Sequence, residues 1–352
     1  MRADIKSMTI PELEGLLAGL GEPRFRAKQL FSWLHQKRAA DFDEMKNLPA
    51  SLRAALKEKA SLTRFVTERK LVSQLDGTVK YLQRLEDGEY LETVLMRYEH
   101  GNSVCISTQV GCRMGCSFCA STKAGFVRHL TPAEMLEQVY AVGRDTGERV
   151  DSIVLMGIGE PLDNYENVLR FLTLVASPEG LNLSHRHISL STCGLADRIH
   201  ELAALRLQLT LSVSLHAVDD GVRSRIMPVN RRWPISELLS ACDDYTGQTH
   251  RRISYEYALI DGVNDTPAEA EALAKLLRGK LCHVNLIPVN YVAEAGFGKS
   301  PRRRVLAFQQ ALARRGITAT IRRTLGADIS AACGQLRRDA GQRREGRAGD
   351  AQ

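Results

Sequence analysis

The chain has 352 residues, 44% hydrophobic and 25% charged, the balance of an ordinary soluble protein long enough for one large domain and a smaller companion. Lys and Arg number 48 against 41 Asp and Glu, a net charge of +7 and an isoelectric point near 9.0, which is compatible with a polyanionic partner without requiring one. No run reaches the ~18 apolar residues of a membrane span, and the start, Met-Arg-Ala-Asp-Ile-Lys-Ser-Met, lacks a signal-peptide core, so no membrane association and a cytoplasmic location are expected.

The first 68 residues read as a small helical domain. Thr9-Ile-Pro-Glu12 opens a helix with a capping box; a second runs through Arg24 to Leu34 and a third around Leu48 to Leu56. Arg24, Arg26, Lys28, Lys37 and Arg38 suit an RNA-backbone contact and suit equally the solvated side of an amphipathic helix. Between residues 69 and 98 the pattern changes to alternation, with turns at Asp76-Gly77 and Asp87-Gly88, the mark of a β-meander leading to the core.

Residues 99–336 follow as the main body. A strand over Ser103–Ser107 precedes a loop that packs Cys112, Cys116 and Cys119 into eight residues. Thiolates at C-x3-C-x2-C spacing can converge on one inorganic centre, since a short loop closes around it at little entropic cost and soft sulfur favours iron–sulfur or zinc. A structural zinc would be closed by a fourth ligand. None stands nearby: His129 is ten residues on, and no second C-x-x-C pair follows. Three cysteines leave one iron of a [4Fe-4S] cube open to a substrate, whereas electron carriers usually use four. A zinc knuckle and a buried cysteine cluster are the competing readings.

Beyond the loop, helix and strand alternate. Thr131-Pro132-Ala-Glu134 starts a helix that runs to about Gly147; Thr266-Pro267-Ala-Glu269 and Ser300-Pro301 start others. Apolar strands are expected near 152–156, 187–191, 207–215, 253–260, 283–287 and 317–321, giving an α/β fold, a partial (β/α)6 barrel with a mostly parallel sheet. Ligands of such folds gather at the C-terminal ends of the strands. There lie Gly159-Glu160-Pro161, Ser191, Ser214-Leu215-His216 and Asn290: an open backbone, a carboxylate suited to an ammonium group, and hydroxyl, imidazole and amide groups suited to ribose, carboxylate and adenine. Cys193, Cys242 and Cys282 read as core residues. The last stretch, Arg337 to Gln352, is polar, basic and expected to be disordered.

The three-cysteine spacing, with Phe118 before the third thiol, resembles the signature of radical S-adenosylmethionine (SAM) enzymes. With Arg26-Ala-Lys-Gln, the stretch at 43–49, Glu92-Thr-Val, Gln109-Val-Gly-Cys112, Gly159-Glu-Pro-Leu, Ser214-Leu-His-Ala and Ala332-Cys-Gly-Gln-Leu, the chain from about Phe25 to Leu336 resembles the RlmN/Cfr family of radical SAM RNA methyltransferases.

The resemblance implies that Cys112, Cys116 and Cys119 hold a [4Fe-4S] cluster, and that Gly159, Glu160, Ser191, Ser214, Leu215, His216 and Asn290 contact SAM. It implies that Cys333 is methylated by one SAM, that a 5′-deoxyadenosyl radical from a second takes a hydrogen from that S-methyl group, and that the carbon radical adds to an adenine ring carbon, most readily C2 in ribosomal or transfer RNA. Glu92 is then the proton acceptor, and Cys105 resolves the adduct through a transient disulfide with Cys333. An external electron donor such as flavodoxin or ferredoxin is implied too. Methylation at C8, or a non-catalytic iron–sulfur protein that binds RNA or carries electrons, are the alternatives. Ala327, Ser330, Val289 and the loop after the cluster differ from the usual family pattern, which leaves the choice of RNA and of position open.

Overall fold

In the computed structural model, which describes residues 2–123, 125–289, 297–323 and 325–329, ten strands form one sheet. From one edge to the other they are Ala319–Ile321, Cys282–Pro288, Ile253–Leu259, Thr210–Ser214, Ile188–Thr192, Ser152–Leu155, Gly101–Cys105, Tyr90–Tyr98, Val79–Arg84 and Val66–Val72. The first seven are parallel; the last three continue the sheet antiparallel. Asn290, Cys333 and the tail 337–352 lie outside the described residues.

Successive parallel strands join the sheet in chain order, always on the same side. Right-handed crossovers then put all the connecting helices on one face, and the other face becomes the inside of a curled sheet. Its curl follows from chain length as well. Five residues separate Ile321, on one edge, from Gly326, whose N–H bonds to Asp76 in the turn after the opposite edge strand, at 2.8 Å. Those five residues span at most ~17 Å, while ten flat strands would hold their edges ~43 Å apart. The sheet therefore bends into an open barrel, and its edges are joined by side chains rather than by a strand ladder.

The local signals act where they were expected. Capping boxes open the helices Ile10–Ala18, Pro132–Thr146 and Pro267–Leu276, and the second of these ends on Gly147 at φ 70°. Asp76 and Asp87 each accept the N–H two residues on, at 3.0 Å, and Gly77 and Gly88 take the positive φ their turns require. Boundaries move by a few residues: the second helix is Phe25–His35, the third Ala50–Lys59, and the meander starts at Val66. At the helix Arg302–Arg314, Ser300 does not cap; its hydroxyl donates to Asp265 at 2.7 Å. The N-terminal helices dock on Pro132–Thr146, where His35 Nδ1 meets the Tyr140 hydroxyl at 2.9 Å.

Candidate active site

The cysteine loop hangs from a two-stranded hairpin, Gln109–Gly111 paired with Phe126–His129, that the sequence reading did not foresee. Inside it the chain doubles back tightly: the Cys119 N–H donates to the Cys116 carbonyl at 3.1 Å, and the Thr122 hydroxyl donates to the carbonyls of Cys116 and Cys119. Gly115 turns the chain at φ 73°. The Ser117 N–H donates to the Ile226 carbonyl at 2.9 Å, tying the loop to the segment that follows Ser214–His216.

Burial pushes the Cys112 thiol up to about 12, with Glu160 and Cys119 adding to it, and Cys116 higher still, with Cys119 and Cys112 adding to it. Three thiols within electrostatic reach of one another, two of them buried, fit a soft cationic cluster whose charge would strip their protons. Among the described residues no three His, Cys, Asp or Glu side chains converge as ligands of one ion. A three-cysteine donor set leaves a structural zinc one ligand short, whereas a [4Fe-4S] cube can be held by one thiolate on each of three irons.

The Gly159-Glu160 segment lies against this loop. The Thr108 and Gln109 N–H groups both donate to the Ile158 carbonyl, and the Glu160 N–H donates to the Gln109 side chain at 2.9 Å. Approach is so close that a Cβ on Gly159, which sits at φ 111°, would stand 2.6 Å from Gln109 Cβ; one on Gly157 would stand 2.6 Å from the Ile106 carbonyl oxygen. The Glu160 carboxylate, 3% exposed, accepts the N–H groups of Leu162 at 2.9 Å and Cys193 at 2.7 Å. Burial raises its pKa against the pull of those donors.

His216 is 4% exposed with a positive φ of 57°; its Nδ1 accepts the Ala258 N–H at 2.9 Å, which leaves the proton on Nε2. Burial, with Arg223 adding to it, lowers its pKa to about 3, so the ring is neutral. It stands edge-on to Phe118 of the cluster loop, ring centroids 5.0 Å apart. Ser191 and Ser214 are half-buried on adjacent parallel strands, where Ser191 faces Ser212. Leu215 is buried and donates its N–H to the Glu256 carbonyl.

Two residues that the sequence reading passed over organise these strand ends. Arg223, with no exposed surface, donates to the carbonyls of Cys193, Ser214 and Leu215 and to Asn230 Oδ1, holding the ends of two neighbouring strands in one arrangement. Glu256, opposite Ser214 in the register, accepts from Asn285 at 2.7 Å and from Ser254 at 3.2 Å on the inner face. No local pattern separates Arg223 from Arg225, so only the fold distinguishes them.

Glu92 and Cys105 lie on neighbouring antiparallel strands. Cys105 is opposite Val94, and the Ser107 hydroxyl donates to the Glu92 carbonyl at 2.9 Å, so Glu92 and Cys105 share one face a single pleat apart. Lys80, opposite Val94 on the next strand, places its Nζ 3.4 Å from Glu92 Oε2, with Lys80 unexposed and Glu92 5% exposed. That face is the inner one, continuous with Ser191, Ser214 and Glu256.

A curled parallel sheet with a three-cysteine loop at its C-terminal edge defines a radical SAM fold. The Radical SAM superfamily model matches residues 106–277, and the model of the ribosomal RNA large subunit methyltransferase N-terminal domain matches residues 3–62. A probable dual-specificity RNA methyltransferase RlmN of Lachnoclostridium phytofermentans is 51% identical over 337 residues, covering 96% of this chain and 95% of that protein. One from Pelotomaculum thermopropionicum is 52% identical over 338 residues, covering 96% and 92%. The crystal structure of a radical SAM methyltransferase from Sphaerobacter thermophilus superposes with a TM-score of 0.91 at 48% identity, over 95% of this chain and 98% of that one.

The chain belongs to the RlmN family of radical SAM RNA methyltransferases. Membership implies SAM and a [4Fe-4S] cluster. Among the described residues no helix is long and apolar enough to cross a membrane.

Proposed function

We propose that this chain methylates C2 of an adenine in ribosomal RNA, transfer RNA or both, in the cytoplasm, through an S-methylated Cys333 and a transient disulfide. The observation that carries the reading is the register that puts Glu92 and Cys105 on one inner face. An acid–base group and a thiol so placed have no use in electron transfer, but both are needed to release a carbon adduct from a thioether.

Cys112, Cys116 and Cys119 would anchor the cluster; Gly159, Glu160, Ser191, Ser214, Leu215, His216 and Asn290 would hold SAM. When bound, the cluster supplies the electron, delivered by a flavodoxin- or ferredoxin-like donor, that cleaves one of the two SAM molecules used per methylation. Once the methylene on Cys333 Sγ is bonded to the adenine ring, the radical adduct would return one electron to the oxidised cluster, and Glu92 would take the proton from the ring carbon. The Cys105 thiolate then attacks Cys333 Sγ. An S–S bond forms as the S–C bond breaks, the electron pair passes to the methylene carbon, and that carbon takes a proton to become methyl; a thiol reductant restores both cysteines.

Residues 1–68 would serve the RNA. Lys28 is exposed beside Phe25, itself 56% exposed and under the Arg26 guanidinium, a combination suited to phosphate and base contact. Residues 69–98 would present Glu92, residues 99–336 would carry the chemistry, and 337–352 would add a basic tail. Anaerobically reconstituted protein given labelled SAM, reductant and RNA should yield 5′-deoxyadenosine and 2-methyladenosine. Formation of 8-methyladenosine would move the reading to C8, and neither product would remove it.

A further inference from the structure

The turn Ser73–Thr78 and the segment Gly326–Ile329 grip each other reciprocally. Asp76 Oδ2 accepts the Gly326 N–H at 2.8 Å, while Asp328 accepts the Ser73 hydroxyl at 2.6 Å and the Gln74 N–H at 2.8 Å. The turn is built to receive this partner: Asp76 Oδ1 holds the Thr78 N–H at 3.0 Å, Ser73 Oγ accepts the Leu75 N–H at 3.2 Å, and Ser73 is 3% exposed. Although burial opposes it, the Gly326 and Thr78 N–H groups hold the Asp76 carboxyl down to about 2.

We propose that this clasp is a positioning device for methyl transfer, fixing the point from which the chain departs toward Cys333 so that residue 333 is delivered to the face that carries Glu92 and Cys105. The proposal rests on the reading of Cys333 as methyl carrier. The turn leads directly into the strand of Lys80, which faces Val94 and, through it, Cys105. Two strand spacings, ~10 Å, separate Lys80 from Cys105. From Asp328 to Cys333 is five residues, a reach of at most ~17 Å; from the strand end Ile321 it is twelve, ~40 Å. With effective concentration falling as the −3/2 power of tether length, opening the clasp dilutes Cys333 at its target roughly fourfold, before any loss of orientation.

The test uses full-length, cluster-loaded enzyme and follows 5′-deoxyadenosine and methyladenine together. Asp328→Ala and Asp76→Ala should cut RNA methylation roughly fourfold or more while 5′-deoxyadenosine continues to form, lowering the methyl-to-deoxyadenosine ratio; Asp328→Asn and Asp76→Asn, which each keep one acceptor oxygen, should fall between. Asp328 is exposed, and Ser73→Ala removes the same contact from the other side as a guard against a folding defect. A wild-type rate and ratio in these variants, or a parallel fall of both products, overturns the clasp. Cys333→Ala separates the two ideas: methylation surviving in it removes the methyl-carrier reading, whereas an inactive Cys333→Ala beside an unaffected Asp328→Ala removes only the clasp.

Discussion

Lys6 Nζ and Glu137 Oε2 lie 2.6 Å apart, neither side chain exposed, and join the N-terminal segment to the helix Pro132–Thr146 across 131 residues of sequence. Lys6 also donates to the Thr63 carbonyl, and Arg144 approaches the other Glu137 oxygen, so each charge is compensated on two sides. Removing one partner of a buried pair strands the other charge.

Lys6→Met is expected to destabilise the protein by about 3 kcal/mol, the lower end for a buried pair because Arg144 remains beside Glu137. Anaerobic urea unfolding measures it. The double variant Lys6→Met, Glu137→Gln should recover much of the loss, since it removes the stranded charge.

His35 makes stability depend on acidity. Burial, reinforced by Lys6, lowers its pKa to about 3 from 6.5, so between these values the unfolded chain binds a proton that the folded chain refuses. The stability this histidine permits is complete above pH 6.5 and is lost as pH falls toward 3, at up to about 1.4 kcal/mol per pH unit. Urea midpoints measured from pH 7.5 to 5 should fall accordingly, and His35→Phe should flatten that slope.

Gly157→Ala should be far more damaging than its size suggests. The added methyl would meet backbone, the Ile106 carbonyl oxygen at 2.6 Å, which cannot swing aside. A cost of about 1–3 kcal/mol is expected from overpacking, with a fall in iron bound per chain because the same contact seats the cysteine loop. Thermal unfolding and iron analysis report the two effects separately.

Cys105→Ala and Glu92→Gln should both stop turnover while leaving 5′-deoxyadenosine formation intact, and both should accumulate RNA covalently attached to protein. Denaturing gels of reactions with labelled RNA show the adduct as a slow band. An adduct missing from both variants would refute the resolving roles of the two residues.

Much of the fold was legible because its signals are local. Capping boxes at Thr131 and Thr266 and Asp-Gly turns at 76–77 and 87–88 are decided within four residues, and chain order gave strand order because each crossover adds the next strand alongside the last. The cysteine loop was legible for the same reason. What escaped was set by partners far away in sequence: Asp328 with Ser73, Lys6 with Glu137, and Arg223 with two strand ends. A buried arginine and a solvated one look alike until the carbonyls that receive them are assembled. Ser300 shows the converse, since its position before a proline suggested a cap while Asp265 claims its hydroxyl instead.

The bond between Asp76 and Gly326 also bears on biosynthesis. One half of it is synthesised in the first quarter of the chain and the other in the last tenth. A nascent polypeptide must therefore carry its open sheet, rims apart, until translation is almost finished. Chains released early, short of residue 326, would keep Cys112, Cys116 and Cys119 yet lack the bond that ties one rim to the other.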